Sequence, residues 1–501
     1  MKTKNIDLDT VIIGAGFAGI GMAIKLKENG HNSFLLLERS NEIGGTWRDN
    51  NYPGCACDIP SFLYSFSFEL NPDWSNLCAP HVEILNYLKH CVKKYKLEDH
   101  LRKNKCVESV KFNSKMGKWE IKDSNGEVII ARMLLTAVGG LNEPLMPKIK
   151  GINNFKGESF HSSNWNHNYD LKNKRIAMIG TGASSIQIIP HIADQPKHMT
   201  VFQRTAPWIS PRINTEIADK SKQRFKKYPF YIRILREFIY WTLELRGMFK
   251  YKNSIAAKAL KKESLDFLNK SVIDEKLKDK LTPDYEIGCK RILYSNLYYG
   301  AIQKDNVSLI TENIKEIKEN GIIDNNDVFH QLDAIIYGTG FKTGQFSHMF
   351  ELEGINNKKL FDEWNINGGE AYYGMASNDM PNFLFLVGPN TGLSHTSIIH
   401  VMESQYNYAL DYLKNLKNKP NSYLNLKESV FKNFNKKIQK RLKKMIWYTG
   451  GCQSWYISGE NKKNVTIWPG TTISYRLKTC LLYTSDAADD LLCVDLGGRR
   501  I

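Results

Sequence analysis

TVIIGAGFAG, residues 10–19, decides how the rest of the chain is read. Thr10 to Ile13 form a short apolar run, and Gly14-Ala15-Gly16-Phe17-Ala18-Gly19 follows without a break. A helical pattern continues through Met22, Ala23, Ile24 and Leu26, and a second apolar run, Phe34 to Leu37, ends at Glu38. Strand, glycine turn, helix, strand and acid is the order of a dinucleotide-binding Rossmann unit. Gly14 allows the tight turn, Gly16 lets a pyrophosphate approach the backbone, and Gly19 lets the helix pack on its strand. The helix N-terminus, with Ala18 in its first turn, then faces the phosphates, and Glu38 accepts the ribose hydroxyls.

A second unit opens at the strand Arg175 to Ile179. Its turn reads Gly180-Thr181-Gly182-Ala183-Ser184-Ser185-Ile186-Gln187, with Ser185 in the third glycine position, so helix packing there must tolerate a small hydroxyl. The next strand, Met199 to Phe202, ends at Gln203-Arg204-Thr205 rather than at an acid. Glu38 repels a 2′-phosphate whereas Arg204 binds one. The first unit therefore suits FAD and the second NADPH. Between them lies FKGESFHSSNWN, residues 155–166. A junction of two nucleotide-binding folds is where two cofactors meet and where one hinge can move one fold against the other.

The 501 residues are 42% hydrophobic and 24% charged, an ordinary globular composition long enough for two or three domains. The formal charge of +17 comes mostly from lysine spread along the chain. No compact basic block with interleaved aromatics points to nucleic acid. The nine cysteines show no metal-ligand spacing, so no metal is expected; Cys55-x-Cys57 is too tight for the usual redox or zinc pair, and reduced thiols are expected throughout. The N-terminus lacks a signal-peptide core and no apolar run approaches the ~18 residues that cross a bilayer. A cytoplasmic protein without a transmembrane segment is the expectation.

The expected fold is α/β: two Rossmann-like domains with a helical insertion. The FAD domain takes residues 1–145 and 333–479, and the NADPH domain takes 146–212 and 282–332. The Lys-rich stretch 213–281 forms the insertion, expected as a cap over the second domain, with contact to a membrane surface as the alternative for its aromatic and basic part, 229–249. Residues 480–501, CLLYTSDAADDLLCVDLGGRRI, break from the Lys- and Asn-rich chain before them. They look like a translated transposon-end adapter from a sequencing library and are set aside as a non-native tail.

Two further segments carry chemistry. GGTWRDNNYPGCACD, residues 44–58, offers paired glycines for close passage of a cofactor, flat surfaces at Trp47 and Tyr52, and an acid, Asp58, that by itself reads as a turn or cap. PDYEIGCKR, residues 283–291, places Lys290 and Arg291 together after a glycine; they suit an anion, or equally a solvated surface.

Together these segments resemble the class B flavoprotein monooxygenases, specifically the type I Baeyer–Villiger monooxygenases, from Asp9 to about Gly470. The family pattern F-x-G-x-x-x-H-x-x-x-W falls on Phe155, Gly157, His161 and Trp165, with Asn166 where the family has Pro or Asp. The second pattern, G-G-x-W-x(4)-Y-P-G-x(3)-D, is matched in full from Gly44 to Asp58. Val138 and Gly338 depart within the two A-T-G-like turns, and packing changes are expected there.

The resemblance implies that Arg291 is the catalytic arginine, Asp58 its partner, and Lys290 a 2′-phosphate contact. It implies FAD contacts at Gly45, Thr46, Trp47, Asp58, Tyr64, Val107 and Ile398. It implies NADPH contacts at Thr181, Gly182, Ala183, Ser184, Ser185, Gln187, Arg204 and Thr205. His161 is assigned to the hinge. The implied reaction inserts one oxygen atom of O₂ beside a ketone carbonyl through a C4a-peroxyflavin, giving an ester or lactone. The partners are then a small ketone and O₂, with a monomer or small homo-oligomer expected and no nucleic acid. The rivals are an N- or S-oxygenating flavin monooxygenase, which usually carries another aromatic at the Trp165 position, a flavin disulfide reductase, and a non-catalytic nucleotide-binding or membrane-associated protein.

Overall fold

The computed structural model describes residues 6–344, 349–417, 422–480 and 494–497. Its principal strands are β1 (Ile6–Ile13), β2 (Phe34–Leu37), β3 (Leu101–Arg102), β4 (Val107–Asn113), β5 (Lys118–Asp123), β6 (Val128–Thr136), β7 (Glu158–His161), β8 (Arg175–Ile179), β9 (His198–Phe202), β10 (Val307–Ile310), β11 (Ala334–Tyr337), β12 (Glu351–Glu353) and β13 (Phe383–Phe385). Helices α1 (Phe17–Glu28) and α2 (Ala183–Ile192) follow the two glycine turns.

The first sheet runs β12-β4-β5-β6-β1-β2-β3. β1 lies parallel between β2 and β6, and its last four residues are buried, as the continuous apolar run requires of an inner parallel strand. β6 changes partner along its length: its first half pairs antiparallel with β5 and its last residues pair parallel with β13. The second sheet is wholly parallel in the order β10-β9-β8-β11-β7. Each glycine turn therefore leaves an interior strand of its own sheet, as the doubly wound reading expects.

The chain passes between the sheets twice, after β6 and after β11, and the two crossings run side by side. Leu145 N–H donates to the Gly340 carbonyl (2.9 Å), Lys342 N–H to that of Glu143 (2.9 Å), and the Thr339 hydroxyl to that of Leu145 (2.6 Å). His161, at the end of β7, is 4% exposed and sets its ring edge-on to Phe341 at 5.7 Å. Phe155 folds against Gly157, where a Cβ would meet the Phe155 ring at 2.7 Å. Trp165 packs edge-on against Phe160 at 5.2 Å. Asn166 Oδ1 accepts the Asn168 N–H (3.0 Å), the same short turn an aspartate makes, which explains why asparagine serves at that position.

The Ser185 and Gly338 departures are one packing solution. A Cβ built on Gly338 would collide with the buried Ser185 Oγ, whereas the Ser185 Cβ stands 3.3 Å away. Glycine on the crossing strand makes room for the hydroxyl on α2. Gly338→Ala is expected to destabilise the protein by about 1–3 kcal/mol, the usual cost of overpacking, and Ser185→Ala in the same chain to restore most of it. A double-mutant cycle by denaturant unfolding measures the coupling; simple additivity overturns the account.

The insertion does not cap the second domain alone. Of its helices α3 (Asp219–Lys227), α4 (Phe230–Arg246) and α5 (Ile255–Ser271), α4 leans on the first domain. Ile232 joins the core around α1, and Arg236 Nη1 donates to the carbonyls of Phe62 (2.7 Å) and Ser65 (2.9 Å). α5 reaches the second domain, placing Leu268 in its core. The insertion thus spans both domains, because α4 carries a buried arginine and glutamate that find partners only on the first. No helix among the described residues is long and apolar enough to cross a membrane. From the tail set aside in the sequence, residues 494–497 pair antiparallel with Tyr423–Leu426, while 481–493 and 498–501 lie outside the described residues.

Candidate active site

Residues 44–58 stretch from one glycine turn to the other domain. Gly44 N–H donates to the Ala15 carbonyl (2.9 Å), and a Cβ on Gly45 would stand 3.4 Å from the Gly16 Cα. Gly45 has φ +52°, a left-handed conformation that glycine adopts without strain. Trp47 donates from Nε1 to the Tyr64 hydroxyl (3.2 Å) while Thr46 stays exposed. At the far end Gly54 lies against His191 and the Gln187 carbonyl of α2.

Gln187 locks this contact. Its Oε1 accepts from the Tyr52 hydroxyl (3.0 Å), and its Nε2 donates to the Ala56 carbonyl (3.0 Å) and, at 3.4 Å, toward Asp58 Oδ1. Asp58 Oδ2 accepts from Arg291 Nη2 at 2.7 Å. The two residues are 233 positions apart in the chain. Asp58 is recessed, with its side chain 10% exposed, whereas the Arg291 side chain is 48% exposed. A guanidinium held by a recessed carboxylate at one terminal nitrogen, on a side chain that is still half exposed, can donate its other hydrogen bonds to an anion.

The loop that carries Arg291 is fixed on several sides. Trp208 Nε1 donates to the Tyr285 carbonyl (2.8 Å) and Glu286 N–H to that of Gly450 (3.0 Å). Gly288 holds φ +88° with its Cβ position 2.6 Å from the Phe249 ring, so both conformation and space demand glycine. Cys289 is joined to Cys452 in a disulfide with Cα atoms 6.1 Å apart. That corrects the expectation of reduced thiols throughout: a separation of 163 positions hides the pairing from sequence spacing. Cys55 and Cys57 remain free and buried, and burial pushes the Cys55 thiol up to about 12, which leaves it neutral and unreactive.

A disulfide typically contributes about 2–4 kcal/mol to stability. Dithiothreitol is therefore expected to lower the melting temperature of the natural protein but not that of Cys452→Ser; equal responses overturn the assignment.

The remaining expected contacts fall into two groups. Glu38 stands at the end of β2, 5% exposed, accepting from the Ala15 (3.0 Å) and Ser40 (3.0 Å) amides and from Arg48 Nη1 (3.0 Å). Residues 104–107, ending at Val107, run alongside it through the Lys105 N–H bond to the Glu38 carbonyl (2.8 Å). Gly14 admits no side chain, since a Cβ would lie 2.6 Å from the Ala137 carbonyl oxygen. Ile398 precedes α6 (Ile399–Lys417) at the boundary of two cores. In the second domain, Gly182 caps α2 with Thr181, Ala183 and Ser184 around it, and Arg204 and Thr205 follow β9. Burial, and after it the charge of Arg204, press the Lys290 ammonium below the ordinary lysine range. Two cations brought close enough to repel each other form a site that an anion relieves. These glycine cradles, the acid at Glu38 and the paired cations fit FAD on the first turn and NADPH on the second.

The family model described as pyridine nucleotide-disulphide oxidoreductase matches residues 11–236. A Baeyer–Villiger monooxygenase of Pseudomonas aeruginosa is 40% identical over 469 residues, covering 93% of this chain and 89% of that protein. The chain belongs to the Baeyer–Villiger monooxygenases. A second Baeyer–Villiger monooxygenase, from Streptomyces coelicolor, is 38% identical, with 93% of this chain and 90% of that protein covered. The solved structure of OTEMO in complex with FAD and NADP superposes with a TM-score of 0.86 at 27% identity, covering 99% of this chain and 100% of that one.

Within this Baeyer–Villiger monooxygenase, three further residues support the arginine, of which the sequence marks only Tyr456, as core or pocket wall. Tyr456 is buried, with its hydroxyl pushed up to about 12 by burial and drawn back by the charge of Arg291. Arg212 Nη2 donates to the Cys57 carbonyl (2.7 Å), bracing the residue before Asp58. Cys452 anchors the loop from the opposite side. Aromatic clustering at Trp447, Trp455, Tyr456 and Trp468 suggests only a core or pocket wall, and Trp455 is in fact exposed.

Proposed function

We propose that this chain is an NADPH-dependent flavoprotein that inserts one oxygen atom of O₂ beside a ketone carbonyl, giving an ester or lactone. The observation that carries the reading is the Asp58–Arg291 pair, which joins a segment seated on the first glycine turn to a loop of the second domain. FAD, reduced by NADPH, supplies the oxygen-activating chemistry. The first glycine turn with Gly45, Thr46, Trp47, Tyr64, Val107 and Ile398 holds it, and Glu38 takes its ribose. Thr181 to Ser185, Gln187 and Thr205 hold NADPH, with Arg204 and Lys290 on the 2′-phosphate.

Arg291 donates hydrogen bonds to negative charge as it develops on the oxygens of the reacting centre. Asp58 aims the guanidinium and offsets its charge while leaving it protonated, and Gln187 keeps Asp58 in place through the Ala56 carbonyl. Buried aromatics, Tyr456 among them, keep water from the reacting atoms. His161, packed on the paired crossings, serves the hinge rather than proton transfer.

Residues 1–145 and 333–479 act as the FAD domain and 146–212 with 282–332 as the NADPH domain. The setting is cytoplasmic, where NADPH is supplied, and the enzyme works as a monomer or small homo-oligomer. A panel of cyclic, aromatic and open-chain ketones, with amines and sulfides as controls, tests the reading by product mass. Ester or lactone one oxygen heavier than the ketone supports it; oxygenation confined to nitrogen or sulfur overturns it.

A further inference from the structure

α4 is amphipathic in an unusual direction: both of its faces carry apolar residues, but only one is covered. Its inner face is pinned by the Arg236 hydrogen bonds to Phe62 and Ser65, and by the buried Glu244, which accepts from Thr472 N–H (2.7 Å) and pairs with His395 Nε2 (3.1 Å). These contacts fix the helix against rolling. The outer face then presents Phe230, Ile234, Phe238, Trp241, Leu245 and Met248 in one line at helical spacing. Phe238 is 69% exposed, Leu245 70% and Ile234 60%. Tyr251 and Ile255 extend the exposed line beyond the helix. Beside it, Phe225 of α3 with Tyr231, Ile234, Leu235 and Phe238 form an open groove of about 380 Å³, with Ser221 and Arg224, the latter over the Tyr231 ring, as its polar rim.

Charge names the partner. Residues 219–271 hold fourteen lysines and arginines against five aspartates and glutamates, so more than half of the formal +17 sits in these three helices and their links. Arg233 lies on the exposed face itself, with Lys226 and Lys227 before the helix and Lys252 and Lys258 after it, all exposed; Glu237 is the exposed acid on the helix, and Asp73 pairs with Lys226 at 2.7 Å. A second copy meeting this face would set like charge against like charge. A surface with anionic headgroups over an apolar interior satisfies both features, since the rings enter the acyl boundary and the cations stay at headgroup level.

We infer that the outer face of α4 docks this enzyme, without spanning, on an anionic lipid bilayer. The inference is independent of the chemistry proposed above. It places the reaction where apolar ketones partition.

The test is flotation of the full FAD-loaded chain with vesicles of phosphatidylcholine, with or without phosphatidylglycerol. The natural chain is expected to float with the phosphatidylglycerol vesicles and to bind at least about tenfold less to pure phosphatidylcholine or in high salt. Phe238→Glu/Leu245→Glu is expected to lose at least about tenfold of this binding with unchanged melting temperature and unchanged activity on a water-soluble ketone. Absence of flotation, or equal flotation by the variant, overturns the inference. So does self-association in sedimentation that the same variant abolishes while vesicles are ignored, which would assign the face to a second copy.

Discussion

Arg291→Ala is expected to keep oxidising NADPH and consuming oxygen while ester formation falls by about a hundred- to a thousandfold, the usual loss on removing one preorganised donor to a developing oxyanion. The geometry separates the two activities. Arg291 meets Asp58 through Nη2 at 2.7 Å while its side chain stays half exposed, whereas the groups assigned to NADPH, Arg204 and Lys290 among them, are untouched by the change. Oxygen consumed without ester should appear as hydrogen peroxide. Asp58→Asn should fall on the same side of the divide, because it keeps the shape and removes the charge that aims the guanidinium. Quantifying ester by mass and peroxide in the same reaction checks the expectation. An undiminished ester yield from Arg291→Ala removes the arginine from the chemistry.

The second large effect concerns the choice of nicotinamide. Arg204→Ala/Lys290→Ala is expected to raise the KM for NADPH by about 10- to 100-fold, from the loss of charge-assisted hydrogen bonds to the 2′-phosphate worth about 1.5–3 kcal/mol. The KM for NADH, which lacks that phosphate, should stay nearly where it is. Burial, the larger cause of the lowered Lys290 pKa, stays in the single variant Arg204→Ala, but the repulsion from Arg204 goes, so the Lys290 ammonium should move part of the way back toward its ordinary range. If both KM values move together, the two cations do not read the phosphate.

How much of this was legible depends on distance along the chain. The two nucleotide-binding turns are local events: each needs a strand, three small residues and a helix within a few positions, and both fold as written. The Asp58–Arg291 pair is the opposite case. Neither residue stands out chemically in its own segment, where an acid after cysteines reads as a cap and a Lys-Arg pair as surface. Only the family resemblance singles them out. The compensation between Ser185 and Gly338 was visible as two separate departures but not as one contact, because a strand and a helix from distant parts of the chain supply it. The docking of α4 on the first domain was misread since amphipathic period says that a face is buried, not what buries it. The disulfide was hidden for the same reason.

The paired crossings between the sheets carry one more consequence. A single connecting strand lets one domain twist, slide or swing relative to the other. Two antiparallel segments tied by the Leu145–Gly340 and Lys342–Glu143 bonds resist twisting and sliding and leave bending as the soft coordinate. Bending along one arc is thus the relative motion these paired segments leave softest, as in a door on two pins.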